Sequence, residues 1–251
     1  MAQSLAAGRR TPLTRDSVLH SAVALADARG IETLSMRKLA DVLGVVPMAL
    51  YKHVADKEAL LDGMVDVVIA EFDPPITASD WKCVLRQRIL SARQTLLRHP
   101  WASRVIESRA SPTPAVLAYM DSMMAILRGG GFSVDLTHHV MHALGSRLFG
   151  FTQEVFHDSQ PVDPEMQAVV VRELSANYPH LAEVAEAAFH DEASVVGQGC
   201  DDQFEFEFGL DLLLDGLANV RQKEEQSNLS ALTSAPGRAR RQRSRAPVAP
   251  R

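Results

Sequence analysis

Apolar residues recur along this chain at steps of three and four, with no sustained alternation at steps of two. That period belongs to helices with one buried stripe. Thr14 or Asp16 opens a first helix whose stripe is Val18, Leu19, Ala22, Val23, Leu25 and Ala26, and Gly30 ends it. Ser35 stands where a hydroxyl caps a second helix by accepting an orphan backbone N–H. Leu39, Leu43, Val45 and Leu50 are spaced to meet inside a corner, and Ala40 is small where two helices cross. Gly44 follows Leu43 at the position where a left-handed residue ends a helix at least steric cost. Pro47 opens a third helix, where its missing N–H does no harm. Asp56 caps a fourth, with Leu60, Leu61, Met64, Val67 and Val68 in its stripe, and Pro74-Pro75 stops it. Two short helices joined by a tight turn, with polar groups facing outward, form the layout of a helix-turn-helix.

Beyond Pro75 the pattern stays helical. It predicts helices from Trp81 to Arg98, bounded by Pro100, and from Pro114 to Arg128, ended by Gly129-Gly130-Gly131. Ser133 caps another that runs to about His157. Shorter helices are expected over 164–176 and 179–192, a loop over Val195–Gly199, and a last long helix from Cys200 to about Lys223. The predicted fold class is all-α: an N-terminal three-helix helix-turn-helix DNA-binding domain over 13–73, plus a larger helical domain over 74–224. Residues 1–12 read as a disordered arm. From residue 225 to 251 the chain turns to Ser, Ala, Pro, Gly and Arg, which bury too little surface to offset ordering entropy, so a disordered Arg-rich tail is expected.

Composition narrows the setting. The 251 residues suffice for a small domain and a larger one. No apolar run reaches the ~20 residues that span a bilayer, and Arg9-Arg10 precede no apolar core of a signal peptide. The two cysteines, Cys83 and Cys200, lie far apart in no metal-like spacing, so a reducing cytoplasm is the expected compartment. The chain has no Gly-rich phosphate loop, nucleophile elbow or ligand cluster, so neither catalysis nor a cofactor is expected. The net charge of −5 hides an asymmetry. Up to Lys57 basic residues outnumber acidic ones. The stretch from Ala235 holds Arg238, Arg240, Arg241, Arg243, Arg245 and Arg251 with no acid, so the acid excess sits in the body. Basic ends attract phosphate while an acidic body repels it. The tail either adds sequence-independent DNA affinity or only solubilises the chain.

The run Gly30-Ile31-Glu32-Thr33-Leu34-Ser35-Met36-Arg37-Lys38-Leu39-Ala40, with Leu50-Tyr51-Lys52-His53-Val54, Lys57 and Leu60-Leu61-Asp62, resembles the DNA-binding domain of the TetR family of bacterial transcriptional repressors. The resemblance covers roughly residues 13–64. Phe204-Glu205-Phe206-Glu207-Phe208-Gly209-Leu210-Asp211-Leu212-Leu213-Leu214, together with Phe132 and the helix after it, is similar to the branch containing the tetracycline repressor. The resemblance implies a DNA face. Arg37 falls near a base edge or phosphate, and Pro47, Met48 and Tyr51 fall where the recognition helix meets bases. Ser35, Ala49, Lys52, His53 and Lys57 fall near the backbone. Pro47 and Met48 offer only apolar contact, for example with a thymine methyl. Ala49 departs from the hydroxyl residue of some relatives, and Tyr51 and His53 also have a plain packing reading.

The rest of the chain is read with alternatives open. Met141, Leu144, Leu148, Phe151 and Val155 form a seam that wants a partner helix, and Phe204, Phe208 and Leu212 offer one. In the family two such helices pair with their copies as a four-helix bundle; the other reading is a core within one subunit. Trp101, Ile106, Met120, Met124, Arg147 and Glu154 are candidate walls of an effector pocket, though a Met stripe is more often core. Ile106 falls near the position where the tetracycline branch uses a His to hold drug-bound magnesium, and Ile cannot ligate a metal. His138 and His142 share a helical face without a third ligand nearby, so no metal site is assigned. The resemblance thus implies a homodimeric repressor that binds a near-palindromic double-stranded operator and is released by a small-molecule effector of unknown identity, with no membrane partner. The competing readings are a helical dimeric scaffold or enzyme without specific DNA binding, and a ligand-independent activator.

Overall fold

In the computed structural model of the chain, residues 12–72, 80–150, 175, 177–180, 182–183 and 202–234 are described; within the three long stretches, side chains are described over 12–72, 80–145 and 203–230. Among the described residues the fold is all-helical, with no strand. The first four helices are α1 (Arg15–Arg29), α2 (Met36–Leu43), α3 (Pro47–Leu50) and α4 (Lys57–Ile69). The remaining five are α5 (Trp81–Arg98), α6 (Ala102–Ser108), α7 (Pro114–Gly129), α8 (Val134–Gly150) and α9 (Asp202–Ser234). A 3-10 turn, Ile31–Thr33, joins α1 to α2.

Local chemistry sets the helix ends. Thr14 and Ser17 close a reciprocal capping box on α1. Ser35 Oγ accepts from Lys38 N at 3.2 Å, and Asp56 Oδ1 accepts from Ala59 N at 2.8 Å. Asp80, Thr113 and Ser133 cap α5, α7 and α8 in the same way. Gly44 ends α2 at φ 64° and ψ 34°, a left-handed conformation that a side chain would strain.

Packing turns these helices into one body. The buried stripe of α1 is the expected set, Val18 through Ala26. It packs on α4 so closely that a Cβ on Gly63 would lie 2.6 Å from Leu19 Cδ2. The apolar residues of α4 bury on two sides, against α1 and against α6 and α7, so α4 belongs to both halves. A continuous apolar core then runs through α5, α7 and α8 to Phe206, Leu210, Leu214 and Leu217 of α9.

One expectation is corrected, and two candidate site residues are placed. The last helix does not stop near Lys223, and residues 225–234 are not part of a disordered tail: α9 continues to Ser234. Extending a formed helix costs far less than starting one, and nothing between Lys223 and Ser234 breaks it. Pro236 lies two residues beyond, and the residue before a proline disfavours the helical region. Leu144, placed on the partner seam, is 4 % exposed in the core of its own chain. Trp101, placed on a pocket wall, is 6 % exposed at the junction between α1 and α6. The side chains of Arg147 and Leu148, the residues Phe151, Glu154 and Val155, the helices expected over 164–176 and 179–192, the N-terminal arm and the Arg-rich run lie wholly or largely outside the described residues.

Candidate nucleic-acid interface and the body behind it

The corner of α2 and α3 is built on Leu39, Ala40 and Leu50, all fully buried. Leu50 anchors the short third helix, and its carbonyl takes the N–H groups of His53 and Val54 at 2.8 and 3.0 Å. With that side turned inward, the residues around Leu50 face solvent. Val46 is 68 % exposed, Met48 70 % and Tyr51 44 %. Pro47 and Lys52 are exposed, while Ala49 and His53 are half-buried. Arg37, Lys38 and Lys57 are exposed on the neighbouring turns, and Ser35 is half-buried at its cap. The fold therefore brings all nine residues expected on the DNA face to one end of the molecule. The three-residue spacing from Met48 to Tyr51 puts them side by side.

Behind this end lies a polar junction that sequence reading missed. Asp27 on α1 accepts from Trp101 Nε1 at 2.6 Å, and its Oδ1 lies 2.9 Å from His99 Nδ1. The other ring nitrogen of His99 sits 3.5 Å from Glu71 Oε2, and Glu71 also takes Arg98 at 2.8 Å. Burial alone would raise the Glu71 pKa. The Arg98 hydrogen bond and the charge and hydrogen bond of His99 outweigh it and hold the carboxyl below its ordinary value. Arg109, at the end of α6 with its side chain only 12 % exposed, reaches back to Glu58 at 2.8 Å and Asp62 at 2.7 Å on α4. The only signal in the sequence was Asp27, an acid one residue beyond a run of core positions.

The far side is organised by α9, which runs antiparallel to α5. Arg93 lies 4.2 Å over the Phe206 ring, Arg86 binds Glu207 at 2.7 Å and Asp211 at 2.6 Å, and Lys82 binds Asp215. Arg86 is held strongly in its charged form, first by the Asp211 hydrogen bond. Hydrogen bonds from Gln203 and Arg86 lower the Glu207 pKa. The opposite face of α9 carries aromatic and apolar side chains. Phe204 and Phe208 stack at 6.4 Å between centroids, Phe208 is 42 % exposed and Leu212 60 %. Met141 is half-buried against the core of its own chain.

Of the pocket candidates, Arg147 and Glu154 lie outside the residues whose side chains are described. Met120 is 37 % exposed, Met123 is core, and Met124 and Ile106 are half-buried. Two open clefts of about 500 and 470 Å³ flank Arg221, one against Arg128, Ser133 and Glu224 and the other against Trp81 and Gly130. His138 and His142 stand with ring centroids 4.7 Å apart. Among the described residues no group of three potential metal ligands forms.

Known proteins share this architecture. Residues 18–64 match the model of bacterial regulatory proteins of the tetR family, and residues 74–221 match the tetracyclin repressor-like C-terminal domain. The transcriptional repressor DrrR1 of Streptomyces coeruleorubidus is 32 % identical over 84 % of this chain and 79 % of its own. The class A tetracycline repressor of transposon 1721 from Escherichia coli is 31 % identical over 84 % and 93 %. Among solved structures, ActR of Streptomyces coelicolor in its apo form superposes with a TM-score of 0.67 at 25 % identity, over 85 % of this chain and 99 % of that one. Both domains are thus accounted for: the chain belongs to the TetR family, as a helix-turn-helix DNA-binding repressor of transcription with a tetracycline repressor-like C-terminal domain.

Proposed function

We propose that the protein works in the cytoplasm as a homodimer, placing two copies of α3 in successive major grooves of a near-palindromic operator, and that a small molecule held by the larger domain releases it. The observation that carries this is the end formed by α2 and α3, where Arg37, Pro47, Met48, Tyr51, Lys52 and Lys57 are exposed together on a buried Leu50. Ser35, Ala49 and His53 border them at the backbone-facing side. Cations there supply affinity for phosphate, and the short helix supplies the reading edge. The exposed Phe208 and Leu212 of α9 support pairing with a second copy.

Release requires an effector that binds one arrangement of the dimer better than the other. The junction of Asp27, His99, Trp101 and Arg109 supports this, since it ties α1 and α4 of the first domain to both ends of α6. ActR has been solved with actinorhodin, which makes actinorhodin the first ligand to try. Ile106 disfavours a metal-bound tetracycline. The experiment is selection of bound duplexes from a random pool, then titration of the selected operator against a scrambled one at several salt concentrations. A repressor keeps sequence preference while affinity falls steeply with salt; equal binding of both duplexes rejects the reading. Leu212→Glu, on an exposed position, is expected to yield folded monomer in sedimentation, because pairing would bury an unmatched charge.

A further inference from the structure

We propose that α3 selects its half-site through the C5-methyl groups of thymines, with Val46 and Met48 as the reading side chains. This rests on the reading of α3 as the major-groove helix and names what that helix recognises.

The start of α3 carries no polar side chain. Val46, Pro47, Met48 and Ala49 are consecutive, and none of their side chains donates or accepts a conventional hydrogen bond. Tyr51 carries the first such group. Val46 and Met48 are also not spent on the fold: they are 68 % and 70 % exposed, while Leu50 beside them is wholly buried and holds the corner. Val42 at the end of α2 is 56 % exposed and lengthens the same apolar strip. Such a strip ringed by Arg37, Lys38, Lys52 and Lys57, all exposed, has the charge to meet a polyanion and the chemistry to meet something apolar within it.

In a major groove only one feature answers that description. Guanine, adenine and cytosine present donors and acceptors, which an apolar side chain would desolvate without replacing their bonds. Thymine presents its methyl group. Met48 is long and adaptable enough to pack on a methyl, and Val46, immediately before the helix, is branched and stiff. The half-site under α3 is therefore expected to prefer thymine over cytosine where these two side chains meet it.

The test uses the full-length protein and the operator selected as above. Each thymine is replaced in turn by deoxyuridine, which removes the methyl and leaves pairing intact. Binding is expected to weaken about fourfold per contacted methyl at one or two positions in each half-site, and to be unchanged elsewhere. At those positions 5-methylcytosine should bind better than cytosine. The double variant Val46→Ala, Met48→Ala alters only exposed side chains and should bind thymine and deoxyuridine operators alike. The proposal is overturned if deoxyuridine is tolerated throughout while sequence preference persists. It is equally overturned if the double variant keeps the full methyl effect. Failure to select any preferred duplex removes the major-groove reading itself, and the methyl reading falls with it.

Discussion

The first domain and the body behind it are held together by different chemistry. In α1 to α4 the cohesion is apolar and local. The corner closes on Leu39 and Leu50, and α1, α2 and α4 are each capped by a side chain three residues away, while α3 opens on Pro47 without such a cap. In the body, charged side chains join the apolar core as cross-links between helices distant in sequence. Arg86 reaches 125 residues to Asp211, and Trp101 reaches 74 residues to Asp27. A domain that must present one rigid edge to DNA gains from short-range order. Under the proposed function, a body that answers to a ligand would gain from polar contacts able to break and re-form between whole helices.

The sharpest way to break this contrast is at the two anchors. Leu50→Ala removes a fully buried side chain from the corner and should cost about 2–5 kcal/mol, seen as loss of the first domain's cooperative unfolding and of operator binding. Asp27→Ala should cost less, about 1–3 kcal/mol, because it leaves Trp101 Nε1 and His99 Nδ1 without their acceptor. Its informative readout is the ratio of operator affinities with and without effector: if the junction transmits release, that ratio shrinks even where the folded population is restored by cooling. An unchanged ratio would assign the junction to stability alone.

Smaller effects test the body. Arg86→Met removes the links from α5 to Glu207 and Asp211. All three side chains are about a third or more exposed, so solvent screening should hold the loss to about 1 kcal/mol or less in urea unfolding. The carboxyls of Glu71 and Glu207 have pKa values below their ordinary one, so the folded state binds their protons less readily than the unfolded chain. Their contribution is complete above the ordinary carboxylate range and is lost as pH falls through the depressed folded values. Melting temperature against pH should therefore decline on the acid side, less steeply in Glu71→Gln and Glu207→Gln.

The smallest expected effect belongs to the tail. Because α9 runs antiparallel to α5, Arg221 lies at the Trp81 end and the helix continues past it. The 18 residues of α5 span about 27 Å at 1.5 Å each, and the junction with the first domain is at the other end. The described end of α9 at Ser234 thus points away from α3. Deleting 235–251 should leave operator affinity and its salt slope nearly unchanged in fluorescence anisotropy; a flatter slope would mean the tail folds back to the DNA.

What the sequence determined by itself was local. Capping residues, the left-handed Gly44, Pro47 at a helix start and the apolar stripe of α1 act within a turn or two, and they carried the helix-turn-helix and most helix boundaries. The candidate DNA face could be named from the sequence for the same reason, since its residues lie within about twenty positions of one another. Tertiary structure alone decided which apolar face turns inward. Phe206 and Phe208 sit two residues apart, hence about 200° around a helix, and nothing local says which meets the core; packing buried Phe206 and left Phe208 and Leu212 exposed. The same holds for Leu144, drawn into its own core, and for Trp101, drawn to Asp27. A helical period names a stripe but not its partner, because the partner is chosen by helices tens of residues away that arrive only when the whole body closes.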